Sequence, residues 1–190
     1  MINTFSEQHS VDRPSDWVVR WAGQIRPGGT VLDLACGGGR HSRFLAAQGF
    51  HVCAVDHNKQ ALQGLHDRGI TTVLADLESD PWPLQKSNFD GVVVTNYLHR
   101  ALFPHILAAL ASAGVLIYET FAVGNERFGK PSNPDFLLRR GELLEVARSR
   151  LHVIAYEDVE VTAPKPAIVQ RICACNVPAK REVPAPERIS

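Results

Sequence analysis

The chain has 190 residues, of which 45% are hydrophobic and 21% charged, with 20 basic side chains balanced by 20 acidic ones. That length suits one soluble domain able to bury a real core without a disulfide or metal staple. The even charge gives no support to nucleic-acid binding, which rests on a basic excess.

Residues 1–13 are polar, carry no basic-then-apolar leader pattern and read as a flexible N-terminus. A helix is expected from Pro14, with Trp17, Val18, Trp21, Ala22 and Ile25 on one face, ending at Pro27-Gly28-Gly29. Strand and helix then alternate. Strands are expected over residues 30–36, 51–56, 70–76, 89–96 and 114–121. Helices are expected over 40–48, 58–68, 103–112 and 141–149, with Gly49 and Asn58 as caps. Two last strands, 151–161 and 168–177, are joined by a link too short for a parallel crossover, so they pair antiparallel.

The fold class expected is therefore α/β: a doubly wound, mostly parallel sheet of seven strands with an antiparallel C-terminal hairpin, over residues 14–177. The Pro-rich, charged residues 178–190 read as a disordered tail. Residues 101–118 lack charged side chains. Pro104, His105 and the turn at 112–114 break them into a helix and a buried strand rather than a membrane span. The four cysteines, Cys36, Cys53, Cys173 and Cys175, read as free thiols of a reducing cytoplasm. The C-x-C pair lacks the two further ligands that zinc requires, so no metal is expected.

Three features fall at the carboxyl ends of the first three strands, the edge where open α/β sheets bind ligands. The first is Asp33-Leu34-Ala35-Cys36-Gly37-Gly38-Gly39. Its glycines allow a tight turn and close ligand approach, and Gly39 opens a helix whose free N–H groups favour an anion. Ser42 stands where a dinucleotide fingerprint needs its third glycine, which disfavours a nicotinamide cofactor. Asp33 would repel a pyrophosphate and attract a ligand ammonium. Asp56, 19 positions after Gly37, can accept two hydrogen bonds from a ribose diol. Asp76-Leu77 is placed to meet a purine edge.

The order Asp33-x-Ala35-x-Gly37-x-Gly39, then Asp56, then Asp76, resembles the class I S-adenosylmethionine-dependent methyltransferases. The resemblance runs from about residue 30 to 121, and the topology extends it to 177. It implies S-adenosylmethionine as cofactor, held at Asp33, Ala35, Cys36, Gly37, Gly39, Asp56, His57, Asp76, Leu77 and Asn96. Asp33 would serve the ammonium, Asp56 the ribose, Asp76 the adenine amine, and His57 would cover the adenine ring. The Cys36-Gly37-Gly38-Gly39-Arg40 turn and the chain's size are similar to small bacterial tellurite-resistance-type methyltransferases.

Methyl transfer from a sulfonium is a one-step displacement, so alignment is the protein's main task, with a base added for a hydroxyl or ammonium acceptor. Tyr97, His99, Arg100 and Glu119 are the expected groups beside the methyl, His99 as a base and Arg100 as an anion binder. Residues 122–136 form a long loop whose Arg127, Phe128 and Lys130 are expected to close over the acceptor. The reading is a cytoplasmic enzyme, monomer or homodimer, that methylates a small molecule. The alternatives are an RNA or protein methyltransferase with a partner, and an inactive S-adenosylmethionine-binding protein.

Overall fold

A computed structural model describes residues 13–84, 88–148 and 150–177. Except for Arg13, the residues expected to form the flexible start and the C-terminal tail lie outside the described residues. The strands are β1 (Thr30–Leu34), β2 (His51–Asp56), β3 (Ile70–Leu74), β4 (Phe89–Thr95), β5 (Leu110–Phe121), β6 (His152–Val161) and β7 (Ala167–Cys175). They form one sheet in the order β3-β2-β1-β4-β5-β7-β6. The first five run parallel, and β7 lies antiparallel between β5 and β6.

The helices are α1 (Asp16–Trp21), α2 (Arg40–Ala47), α3 (Lys59–Gln63), α4 (Phe103–Ala108) and α5 (Glu142–Ala147). The central strands are mostly apolar because both faces are covered. Val31, Val93 and Ile117 pack with Trp17 and Val18 of α1 and Leu45 of α2. Leu32, Val92 and Leu116 pack with Ile106 of α4 and Leu143 of α5. The winding reverses between β1 and β4, and the crevice above that point is where such sheets take ligands.

Several expected boundaries move. Ser15, not Pro14, begins the first helix: its hydroxyl accepts from the Trp17 N–H as N-cap. The helix expected over 58–68 stops at Gln63. Gly64 is its C-cap, and Arg43 Nη2 donates to the Gly64 carbonyl, which turns Leu65 into the core. Strand β5 begins at Leu110, inside the stretch expected to be helical. The Asn176 amide donates to the carbonyls of Leu110 and Ala111, and main-chain bonds link Ala113 and Gly114 to Asn176. These contacts across the sheet outweigh the local helical pattern. No helix among the described residues is long and apolar enough to cross a membrane.

Candidate functional site

A cavity of about 350 Å³ opens at the carboxyl ends of β1, β2, β3 and β4. Two non-glycine residues on its wall, Ala35 and Asn96, adopt left-handed backbone at φ 54° and 53°. Such conformations persist where surrounding contacts impose them. At Asn96 the constraint is visible: its N–H donates 2.9 Å to the Glu119 carbonyl. Gly37 (φ 54°) and Gly39 (φ 75°) make the turn between β1 and α2. A Cβ on Gly37 would meet no protein atom within 4 Å, whereas one on Gly39 would lie 2.2 Å from Leu65 Cδ2. Gly39 is therefore fixed by packing, and Gly37 faces open space.

Asp56 joins two parts of the site. Its Oδ2 accepts from the Gly37 N–H at 2.7 Å and its Oδ1 from the Asn58 N–H at 2.8 Å. Each oxygen retains a second acceptor site. His57 stands exposed beside it, with Nδ1 3.6 Å from Asp56 Oδ1. Asp76 accepts from the Glu78 N–H at 2.9 Å and the Ser79 hydroxyl at 2.7 Å. Those bonds hold its carboxyl below the usual carboxylate range. Leu77 is buried on the cleft wall, and the adjacent Ala75 and Glu78 line it too. Sequence reasoning missed both, although their place beside Asp76 was a usable signal.

Asp33 is not on that wall. It is 1% exposed, and its carboxylate accepts from the Ser42 hydroxyl. In this position the carboxylate is a buried brace between β1 and α2. Burial pushes its carboxyl up to about 6, against the opposing pull of Ser42. Between pH 4 and 6 the folded state keeps this proton while the unfolded state, near 3.8, has lost it. Asp33's contribution to stability is thus complete below pH 4, falls through that window, and stays low above it. The size of the fall is about 3 kcal/mol. Urea melts of wild type and Asp33→Asn at pH 4 and 7.5 should show the variant gaining by that amount at the higher pH. A pH-independent difference would remove Asp33 as the cause.

Cys36 also departs from expectation. Its side chain is 7% exposed and packs with Leu62 and Leu65, so only its backbone belongs to the turn. Burial pushes its thiol up, far from a reactive thiolate.

The groups expected beside the methyl separate. Tyr97 lines the cleft, and His99 does not. Arg100 is no free anion binder. Its guanidinium donates to Glu142 at 2.8 and 3.0 Å, to the Asp135 carbonyl at 2.7 Å and to the Leu137 carbonyl at 2.8 Å. Glu119 is likewise committed: Oε1 accepts from the Ser15 hydroxyl at 2.6 Å and Oε2 from Arg171 at 3.2 Å. Neither carboxylate oxygen is free to act as an unpartnered base.

Beside Glu119 lies a histidine that the sequence reading passed over. His41 is 2% exposed. Its Nε2 receives the Ser15 N–H at 3.1 Å, so Nδ1 carries the ring proton and donates it to Thr95 Oγ1 at 3.2 Å. Burial, and then Arg40, lowers its pKa to about 3, which keeps it neutral. Its position in the first turn after Gly39 was the available signal.

Residues 122–136 carry local structure of their own. Short 3₁₀ turns span Asn125–Arg127 and Pro134–Phe136, and Ala122 bridges to Leu138. The buried Asn125 side chain donates to the Pro131 carbonyl and accepts from the Ile168 N–H. Arg127 pairs with Glu160, lies 4.8 Å over the Phe128 ring, and faces a second cavity of about 360 Å³ beside β6 and β7. Phe128 and Lys130 line neither cavity. The three are not gathered over the cleft.

The reversal of winding, the glycine turn and the acidic ends of β2 and β3 together define the Rossmann-like methyltransferase fold. Residues 31–114 match the family described as a methyltransferase domain. The chain is similar to TehB-type proteins. It is 33% identical over 86 residues to the probable S-adenosyl-L-methionine-dependent methyltransferase TehB of Haemophilus influenzae. That match covers 40% of this chain and 29% of the relative, so the matched sequence spans under a third of that protein's length. The crystal structure of TehB from the same species superposes with a TM-score of 0.73 at 22% identity, over 92% of this chain and 66% of that one. A TehB-like methyltransferase from Corynebacterium glutamicum gives 0.63 at 20% identity, over 90% and 94%. At these identities the structural likeness speaks for the fold.

Proposed function

We propose that the protein transfers the methyl group of S-adenosylmethionine to a small-molecule acceptor. The observation that carries the reading is the Asp56 carboxylate, bound to the Gly37 N–H and buried to 6% exposure at the cleft. One group thereby ties the acidic strand end to the glycine turn. The residues present fit an adenosyl ligand. Asp56 and Asp76 are hydrogen-bond acceptors for ribose hydroxyls and an adenine amine, and the space beside Gly37 is open to the methionine end. Leu77 and Ala35 supply apolar contact for a purine, and exposed His57 stands at its rim.

When bound, the cofactor supplies an electrophilic methyl on a sulfonium, which already has a good leaving group. The chain's own contribution is alignment and exclusion of water. Asn96 and Tyr97 fix the cleft wall at the end of β4, and the buried His41 ties that strand end, through Thr95, to α2 and to the N-cap of α1. Because Glu119 is paired with Ser15 and Arg171 and His99 does not line the cleft, the reading favours an acceptor that arrives as a soft anion, such as a thiolate, and needs no strong base. The four free cysteines suit a reducing compartment.

The test is a turnover assay with methyl-labelled S-adenosylmethionine and a panel of thiols, selenite and tellurite, reading S-adenosylhomocysteine release. Release that depends on one of these acceptors supports the proposal. Labelling of RNA or protein with none of them active would transfer the function to a macromolecular acceptor.

A further inference from the structure

The cavity that Arg127 faces is the size of the cleft, about 360 Å³ against about 350 Å³, and the methyl-donor reading leaves it unused. It opens on the same carboxyl edge of the sheet. The ends of β5 and β6 meet the start of β7 there, with Phe121 and Val159 both paired to Val169. Two buried amides hold its wall in place. The Asn125 side chain donates to the Pro131 carbonyl at 3.1 Å and accepts from the Ile168 N–H at 3.2 Å. The Gln170 side chain donates to the Arg139 carbonyl at 2.6 Å and accepts from the Leu143 N–H at 3.3 Å. Main-chain bonds run from the Ala122 N–H to Ile168 and from the Val123 N–H to Leu138. An ordinary surface loop satisfies such groups with water. Here they fix backbone around an open space, and pre-formed space of this volume is the usual form of a small-molecule site.

The lining sets the chemistry of the ligand. Val123 is exposed and Ile168 half-buried, which gives the cavity an accessible apolar side. Four charged side chains, Arg127, Arg140, Asp158 and Glu160, stand around it. Arg127 and Glu160 neutralise each other. Arg140 and Asp158 do not pair. Among the described residues the Arg140 guanidinium has no hydrogen-bond or ion-pair partner, and the Asp158 carboxylate accepts a single 3.4 Å bond, from the Tyr156 hydroxyl. An anion alone would be drawn to Arg140 and repelled by Asp158, and a cation alone the reverse. A molecule that carries both charges a few atoms apart meets both at once.

We propose that this cavity is a second ligand site, for a zwitterionic small molecule of the free amino-acid class. Its carboxylate pairs with Arg140, whose planar fork of donors matches it, its ammonium pairs with Asp158, and its side chain lies against Val123 and Ile168. The site is independent of the methyl-donor reading, because Asp56 and Asp76 line the other cleft.

The test is calorimetry on the full chain with L-leucine, whose side chain suits the apolar wall. N-acetyl-L-leucine lacks the cation and L-leucinamide lacks the anion. Arg140→Ala and Asp158→Ala, both at exposed side chains, are compared with wild type, and S-adenosylhomocysteine is titrated into all three. L-leucine should bind wild type saturably. Removing either charge from the ligand, or its partner from the protein, should weaken that binding about ten- to a hundredfold, the worth of a charge-assisted hydrogen bond. Affinity for S-adenosylhomocysteine should stay within twofold throughout. No saturable binding of L-leucine overturns the proposal. An analogue that binds as tightly as L-leucine overturns the zwitterionic class, and L-leucine binding unchanged in both variants overturns the site. A matching loss for S-adenosylhomocysteine in the variants would merge the two cavities and overturn a second site. Failure of S-adenosylhomocysteine alone to bind wild type sinks the methyl-donor reading and leaves this site standing.

Discussion

Asp56→Ala should weaken binding of S-adenosylhomocysteine by about ten- to a hundredfold, the scale of charge-assisted hydrogen bonds lost to a ligand. The effect has two sources. On the proposed reading the ribose hydroxyls lose their acceptor. Gly37 and Asn58 also lose the carboxylate that holds their N–H groups at 2.7 and 2.8 Å, so the turn beside the ligand loses its brace. Asp56→Asn separates the two, because its amide retains one acceptor oxygen but turns an NH2 toward one of those N–H donors. It should fall between wild type and alanine. Calorimetry on the three proteins reads the series, and an alanine variant within twofold of wild type would remove Asp56 from the site.

The second large effect is on stability. Glu142 is 3% exposed and receives four hydrogen bonds: two from Arg100, and two from the backbone and side chain of Arg139. Burial pushes its carboxyl up, but Arg100 and Arg139 outweigh that and hold it below the usual carboxylate range. Removing one partner of a buried pair leaves the other charge uncompensated, which costs about 3–5 kcal/mol. Arg100 keeps some solvent contact, so the lower end applies, and Glu142→Ala should lose about 3 kcal/mol and about 6–12 °C in melting temperature. The same substitution frees the Arg100 clamp on the Asp135 and Leu137 carbonyls, loosening the end of the 122–138 segment. A loss below about 1 kcal/mol in urea denaturation would show that the cluster is a solvated surface pair of ordinary worth.

What the sequence made legible was set by local chemistry. The buried strands read as short apolar runs, and the glycine turn and the acids closing β2 and β3 stood at their ends, because backbone turns and strand-end polarity are written in adjacent residues. The last two strands were readable as antiparallel because their link is too short for a crossover. What failed was decided across the chain. The start of β5 depends on Asn176, more than sixty positions away. Arg100 looked like a free cation because Glu142, its partner, lies 42 positions further on. Glu119 looked available because Ser15 and Arg171 come from the two ends of the chain. Asp33 and Cys36 sit in the motif as expected, but which way a side chain points at a strand end follows from the pleat and the helix packed behind it.

The second cavity, where Arg127 meets Glu160, is separate from the cleft that Asp56 and Asp76 line. Arg127→Ala should accordingly leave affinity for S-adenosylhomocysteine within twofold of wild type. A tenfold loss would place that arginine functionally against the cofactor.

The claim on which the rest depends is that the cleft beside Asp56 takes an adenosyl sulfonium. Calorimetric titration of the full chain with S-adenosylmethionine, with NAD as the parallel ligand, tests it most directly. Saturable micromolar binding of S-adenosylmethionine, abolished or strongly weakened in Asp56→Ala and absent for NAD, is the predicted result. Binding of NAD in its place, or S-adenosylmethionine binding that Asp56→Ala leaves untouched, would contradict it.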